Sequence, residues 1–293
     1  MPAAMFQSIR RPGGQRLAWC ELGDHAGQPV IYCHGFPSSR REAMLLDPVA
    51  RTQGMRILAP DRPGYGDSSD QPGRTIPDWS EDIAALADHL GLGRFSLLGV
   101  SGGAPYALAC AWRIRERICA CALVCPLGPV YLDDMLAAMA WPARLNLTLA
   151  RQVPDLAHFA FGGLTAGLLT RWPQTVDRFR TLTAPPADRA ELAQAETRAI
   201  LNRTIADAMR GGARGARRDL LLYTRPWGIP LGEIALPIQL WHGEADGTVP
   251  IAHARWYERH LPNCRAHYLP DEGHYSLPLR HAGTILAALR LAA

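Results

Sequence analysis

The chain has 293 residues, 48% hydrophobic and 20% charged, the balance of a folded globular protein and not of a disordered one. Its length accommodates one large α/β domain, or such a domain carrying an insertion. The formal net charge of +4 is carried by 31 arginines and no lysine; the densest cluster, Arg214, Arg217 and Arg218, lies among glycines without interleaved aromatics, so no nucleic-acid partner is expected.

In chain order, a turn at Gly13-Gly14 and another at Gly23-Asp24 bracket Arg16-Leu17-Ala18-Trp19-Cys20, which predicts an antiparallel hairpin at a sheet edge. A buried strand follows over 29–33 and ends in the loop His34-Gly35-Phe36-Pro37. A helix is predicted over 40–53, a strand over 55–60, and then a dense loop, Asp61-Arg62-Pro63-Gly64-Tyr65-Gly66-Asp67-Ser68. Ile83, Leu86, Ala87 and Leu90 make a helical stripe within 78–90. Next come a strand over 95–100, a glycine-fenced serine, a small-residue helix and a strand over 118–125.

Strand and helix alternate in this half at βαβ spacing, which predicts a mostly parallel, doubly wound sheet covered on both faces. The rhythm then stops. Over 126–230 no β-branched strand pattern appears, and helical stretches are punctuated by Pro142, Pro154, Pro173 and Pro185-Pro186. A helical insertion after the sixth strand is the expectation, with residues 1–128 and 231–293 forming the core and 129–230 the insertion. Alternation resumes with a strand over 237–243, a helix over 252–260, a strand over 266–269 and a last helix over 279–291.

Seven cysteines are present; Cys33, Cys119, Cys121 and Cys125 fall in apolar strand-like runs, which suits small buried hydrophobes in a reducing compartment. Their spacing does not match a zinc site, and no metal is expected. Residues 1–6 lack a charged start followed by an apolar core, and no apolar run reaches the roughly 20 residues of a membrane span. A cytoplasmic location, without membrane attachment, is therefore expected.

The chemistry centres on Gly99-Val100-Ser101-Gly102-Gly103, between the apolar strand and the helix. A serine on so sharp a turn projects its hydroxyl from the strand end, and small neighbours two residues to either side make room for it. A serine hydroxyl needs a base, and the base needs an orienting carboxylate. In open parallel sheets such groups gather beyond the carboxyl ends of the strands. Asp246, in Gly243-Glu244-Ala245-Asp246-Gly247-Thr248-Val249-Pro250, and His274, in Gly273-His274, both follow strands. Glu244 competes as the acid, while His242 and His253, within a strand end and a helix, are poorer bases. The backbone N–H of Gly102 is one expected oxyanion donor.

These motifs, in this order and across nearly the whole chain, resemble the α/β-hydrolase superfamily, in its capped form with a serine nucleophile. The resemblance implies an α/β-hydrolase fold, Ser101 as nucleophile, Asp246 as orienting acid, His274 as base, and Phe36 as the second oxyanion donor beside Gly102. Asp133 and Asp134 stand where some relatives carry the acid. The His-Gly-Phe-Pro loop is similar to that of epoxide hydrolases and haloalkane dehalogenases, but the elbow holds serine where they hold aspartate, so acyl chemistry is expected. The expected activity is cofactor-independent hydrolysis of a small to medium apolar carboxylic ester or lactone through an acyl-enzyme. The alternatives are a hydrolase of carbon–carbon bonds in β-diketone-like ring-cleavage products, a proline iminopeptidase-like peptidase, and a non-catalytic receptor on the same scaffold. The partner expected is a small-molecule substrate, with the chain a monomer or homodimer. Tyr131, Met135, Met139, Trp141, Phe159, Phe161, Trp172 and Trp227 are candidates to line a pocket or to form the insertion's own core; no substrate-binding residue is singled out.

Overall fold

Alternation along the apolar runs sends successive side chains to opposite faces, and both faces are buried. Val30, Tyr32, Leu98, Val100, Ala122 and Val124 join one apolar layer, whereas Ile31, Cys33, Leu97, Cys121 and Leu123 join the other, the mark of a sheet covered by helices on both sides. The computed structural model describes residues 5–11, 13–210 and 212–290. Residues 1–4, part of the leader reading, and Leu291, the end of the predicted last helix, lie outside the described residues.

The strands are β1 (Met5–Arg10), β2 (Arg16–Gly23), β3 (Gln28–Cys33), β4 (Met55–Pro60), β5 (Phe95–Val100), β6 (Ile118–Val124), β7 (Ile238–Gly243) and β8 (Cys264–Leu269). They form one eight-stranded sheet in the order β1-β2-β4-β3-β5-β6-β7-β8. The β1–β2 and β2–β4 pairings are antiparallel and the remainder parallel. The sheet order turns back at β3, so the ends of β3 and β5, with β6 and β7 beyond, face one crevice.

Two predicted helices are split. The stretch predicted over 40–53 becomes a 3-10 helix, Arg40–Leu46, followed by an α-helix, Asp47–Thr52. Pro48 sits in the first turn of the second piece; within a continuous helix it would remove one backbone bond and clash with the preceding turn. The last helix likewise breaks at His281 into Ser276–Arg280 and Ala282–Ala288.

Between β6 and β7 the described residues contain helices and no strand. Several punctuating prolines serve as helix starts: helices begin at Pro154, Pro173 and Pro186, and Pro142 follows Trp141 at the head of another. A first-turn proline loses no intrahelical bond, and its fixed φ suits the entry. Trp141, Phe159 and Trp172, candidates for a pocket or an insertion core, point to solvent, at 69%, 72% and 58% exposure. Helix Trp141–Gln152 shows why. Ala143, Asn146 and Leu147 face a cavity, and at about 100° per residue Trp141 and Leu145 fall on the opposite side.

Candidate active site

Ser101 follows the last residue of β5 and adopts φ 52°, a left-handed conformation that costs a non-glycine residue of order 1–3 kcal/mol. The flanking glycines are demanded by space. A methyl on Gly99 would meet Ala107 Cβ at 2.8 Å, and one on Gly103 would meet the Cys33 carbonyl oxygen at 2.0 Å. The Leu127 N–H donates to the Ser101 carbonyl at 3.0 Å, tying the turn to the chain beyond β6.

Asp246 lies in the loop after β7 with its carboxylate fully buried. Oδ1 accepts the Thr248 and Val249 N–H groups, each at 2.8 Å, while Oδ2 faces His274 Nδ1 at 2.8 Å. One oxygen of the carboxylate thus closes the loop's turn while the other faces the imidazole. An ionised carboxylate only accepts, so Nδ1 carries the proton and Nε2 is left as the basic nitrogen. Burial opposes charge on His274, but Asp246 outweighs it, with help from Asp188 and Glu42, and the imidazole pKa is raised. Burial likewise pushes Asp246 up, and the histidine overrides this, leaving the carboxyl below its ordinary value.

His274 and Ser101 line one cavity with Phe36. Phe36 and Gly102 are packed so closely that a methyl on Gly102 would meet Phe36 Cβ at 2.8 Å. The structure thus brings the five predicted site residues to the C-terminal ends of β3, β5, β7 and β8. The competing acids lie elsewhere: Asp133 pairs with Arg151 at 2.6 Å with its side chain 89% exposed, and Asp134 is also exposed. His253 is taken up by the Gly128 N–H at 2.9 Å.

The loop before Phe36 is held from two sides. Arg62 donates to the carbonyls of His34 and, at 2.8 Å, of Gly35. Glu42 accepts the Gly35 N–H at 2.7 Å and the Tyr32 hydroxyl at 3.0 Å, and it also lines the cavity. Burial raises the Glu42 pKa against these donors. Arg62 is anchored in turn by Asp219, at 2.8 Å, from the insertion helix Arg214–Tyr223. Asp219 also pairs with Arg74 and accepts the Tyr65 hydroxyl at 2.9 Å and the Tyr106 hydroxyl at 2.5 Å. Burial works against its charge, yet the two arginines hold the carboxyl far below its usual range. One turn on, the Tyr223 hydroxyl donates to the Gly102 carbonyl at 2.8 Å.

Removing Asp219 leaves two arginines buried without their counter-charge. Asp219→Ala is therefore expected to destabilise the fold by about 3–5 kcal/mol, read as a drop in Tm of roughly 10 °C; an unchanged melting curve would refute this account of the network. Sequence reasoning missed Asp219 as well as Glu42. A signal for Asp219 existed: it shares the spacing of Gly215, Ala216, Leu220 and Tyr223 on one buried helix face, where an acid demands a partner. Cys125, His242 and Asp246 bring ligand-type atoms within 4.8 Å of one another. Both Asp246 oxygens are engaged as above, and His242 Nε2 contacts the Val249 carbonyl at 3.0 Å.

A family model described as the alpha/beta hydrolase fold matches residues 28–280. The chain belongs to this family. It is 32% identical over 267 residues to the dihydrolipoyllysine-residue acetyltransferase component of an acetoin cleaving system from Pseudomonas putida, covering 89% of this chain but 62% of that protein. It is 29% identical to a pimeloyl-acyl-carrier-protein methyl ester esterase from Aromatoleum aromaticum, over 75% of this chain and 81% of the relative. Among solved structures, a thermophilic esterase from Thermogutta terrifontis superposes with TM-score 0.69 at 24% identity, covering 98% of this chain and 97% of the other. A bromoperoxidase from Bacillus anthracis does so with TM-score 0.71 at 20% identity, covering 98% of each chain. These two likenesses speak for the fold alone.

Proposed function

We propose that the protein is a serine hydrolase of small to medium apolar carboxylic esters or lactones, working through an acyl-enzyme without a cofactor. Ser101 Oγ attacks the carbonyl carbon as His274 Nε2 takes its proton. The N–H groups of Phe36 and Gly102 receive the oxyanion, a contribution for which loss of one donor costs about 3 kcal/mol elsewhere. Collapse expels the alcohol, protonated by His274; water, deprotonated by the same nitrogen, then releases the acid. The observation that carries this reading is the 2.8 Å Asp246–His274 contact, with His274 and Ser101 lining one cavity. The ester esterase among the relatives adds support.

Residues 129–230 act as the cap in this reading, and they help line both of the chambers that meet at Ser101. The deeper, of about 130 Å³, runs between Leu46, Leu98, Val124 and Leu286. The other, of about 300 Å³, lies under the insertion between Met139, Leu147, Phe161 and Leu220. All seven cysteines are free thiols, which suits the cytoplasmic location proposed here. Among the described residues no helix is long and apolar enough to cross a membrane.

The deep chamber is close to the size that accepts a benzene ring, and in this reading it takes the acyl arm. With p-nitrophenyl esters, kcat/KM is expected to rise about fourfold per methylene while the chamber fills and to turn over at acyl chains of roughly six carbons. A profile flat from acetate to dodecanoate, or still rising at dodecanoate, would contradict the assignment of the acyl arm to this chamber.

A further inference from the structure

His274 is held by a second carboxylate, contributed by the helical insertion. Asp188 lies on helix Pro186–Ala193 and is 1% exposed. Its Oδ2 accepts the backbone N–H of His274 at 2.9 Å, and its Oδ1 accepts those of Tyr275 and Ser276, each at 2.8 Å. The three donors are consecutive and lead into helix Ser276–Arg280, where no intrahelical acceptor serves them. Among the described residues no cationic side chain pairs with Asp188, so these N–H groups are what its charge is solvated by. Bonds from backbone N–H to a carboxylate are of the charge-assisted kind, roughly twice as strong as neutral ones.

The chain around this contact is shaped to receive it. A methyl on Gly273 would lie 2.4 Å from the Asp188 carboxyl atoms, so the residue before His274 is glycine because the insertion's carboxylate occupies that space. The Gly273 N–H is itself closed onto Ser276 Oγ at 2.8 Å. The same insertion helix is tied down by Glu191, which accepts from Arg280 Nε at 2.8 Å. Pro185, at its head, stands against Gly247, the neighbour of Asp246. One short helix of the insertion therefore touches both loops from which the Asp246–His274 pair is built.

We propose that Asp188 is a positioning residue for the reaction: it fixes the His274 backbone so that an imidazole tethered at Nδ1 by Asp246 presents Nε2 to Ser101. This rests on the Ser101–His274 reading above. Asp246 fixes one ring nitrogen and the Ala245 N–H holds the Glu272 carbonyl at 3.0 Å, while Asp188 fixes the backbone from His274 to Ser276. The insertion is in this way part of the catalytic frame as well as a roof over the substrate. Asp188 itself lines neither chamber, although Tyr275, which it holds, lines both, so its removal is expected to act chiefly on kcat, with KM changed little.

The test uses the full chain with p-nitrophenyl butyrate and three variants. Asp188→Ala is expected to lower kcat about 100-fold, the penalty of a misplacement near 1 Å, with KM within threefold of wild type. Asp188→Asn keeps an acceptor oxygen for part of the triplet but turns the other position into a donor, so its kcat falls between the two. Where Asp188→Ala does not fold, the Asp188→Asn value decides. A merely structural contact would lower Tm while leaving kcat per folded molecule unchanged, and that result overturns the proposal, as does a KM that rises in step with the fall in kcat. Ser101→Ala separates the two claims: activity retained there sinks the serine-hydrolase reading, whereas an inactive Ser101→Ala beside a fully active Asp188→Ala sinks this inference alone.

Discussion

Ser101→Ala is expected to lower kcat for p-nitrophenyl butyrate by about 10⁶-fold, the loss seen when a serine nucleophile is removed from an intact site. The size follows from the proposed mechanism, in which without Oγ there is no covalent step for the histidine to assist or for the Phe36 and Gly102 amides to stabilise. The fold should not respond. Alanine at φ 52° is strained much as serine is, and Gly99 and Gly103 still supply the room the elbow needs. Circular dichroism and Tm check the fold, and the residual rate checks the role. Activity within a hundredfold of wild type would show that another group opens the ester.

Asp246→Asn is expected to lower kcat by about 10⁴-fold through the tautomer of His274. Asparagine Oδ1 still accepts from Thr248 and Val249, so the turn survives, and the amide NH₂ then points at His274 Nδ1. To accept that donor, Nδ1 must give up its proton and Nε2 must carry it, which is the wrong nitrogen for a base facing Ser101. A pH profile supplies an independent reading. Proton abstraction needs neutral imidazole, and in the native protein Asp246 outweighs burial and raises the His274 pKa above its ordinary 6.5. The acid limb of kcat/KM therefore lies above pH 6.5. In the asparagine variant the attraction is gone while burial remains, so the limb of the residual activity moves downward. If Asp133→Asn or Asp134→Asn produces the loss instead, the carboxylate has been misassigned.

What was legible in the sequence is what local pattern records. The βαβ rhythm placed β3 to β8 near their observed bounds, because apolar alternation and turn residues act within a few positions. Ser101, Asp246 and His274 stood out because each follows a strand and stands next to a glycine. Asp188 and Glu42 did not, since each looks like an ordinary surface acid until the chain brings it to an N–H group at the strand ends. Asp188 meets His274 from eighty-six positions away in the chain, and nothing near residue 188 announces that encounter. Trp141, Phe159 and Trp172 misled in the opposite direction. Their apolar character suggested burial, but the helical phase set by Ala143 and Leu147 turns Trp141 outward.

The most direct measurement of the central claim is mass spectrometry of the protein after exposure to a fluorophosphonate. A phosphonylating reagent reports an activated hydroxyl and an oxyanion pocket together, independently of the natural substrate. The account predicts one adduct per chain, on the peptide bearing Ser101, absent from Ser101→Ala and formed far more slowly in Asp246→Asn. An unmodified wild-type chain, or an adduct on any other residue, would contradict it.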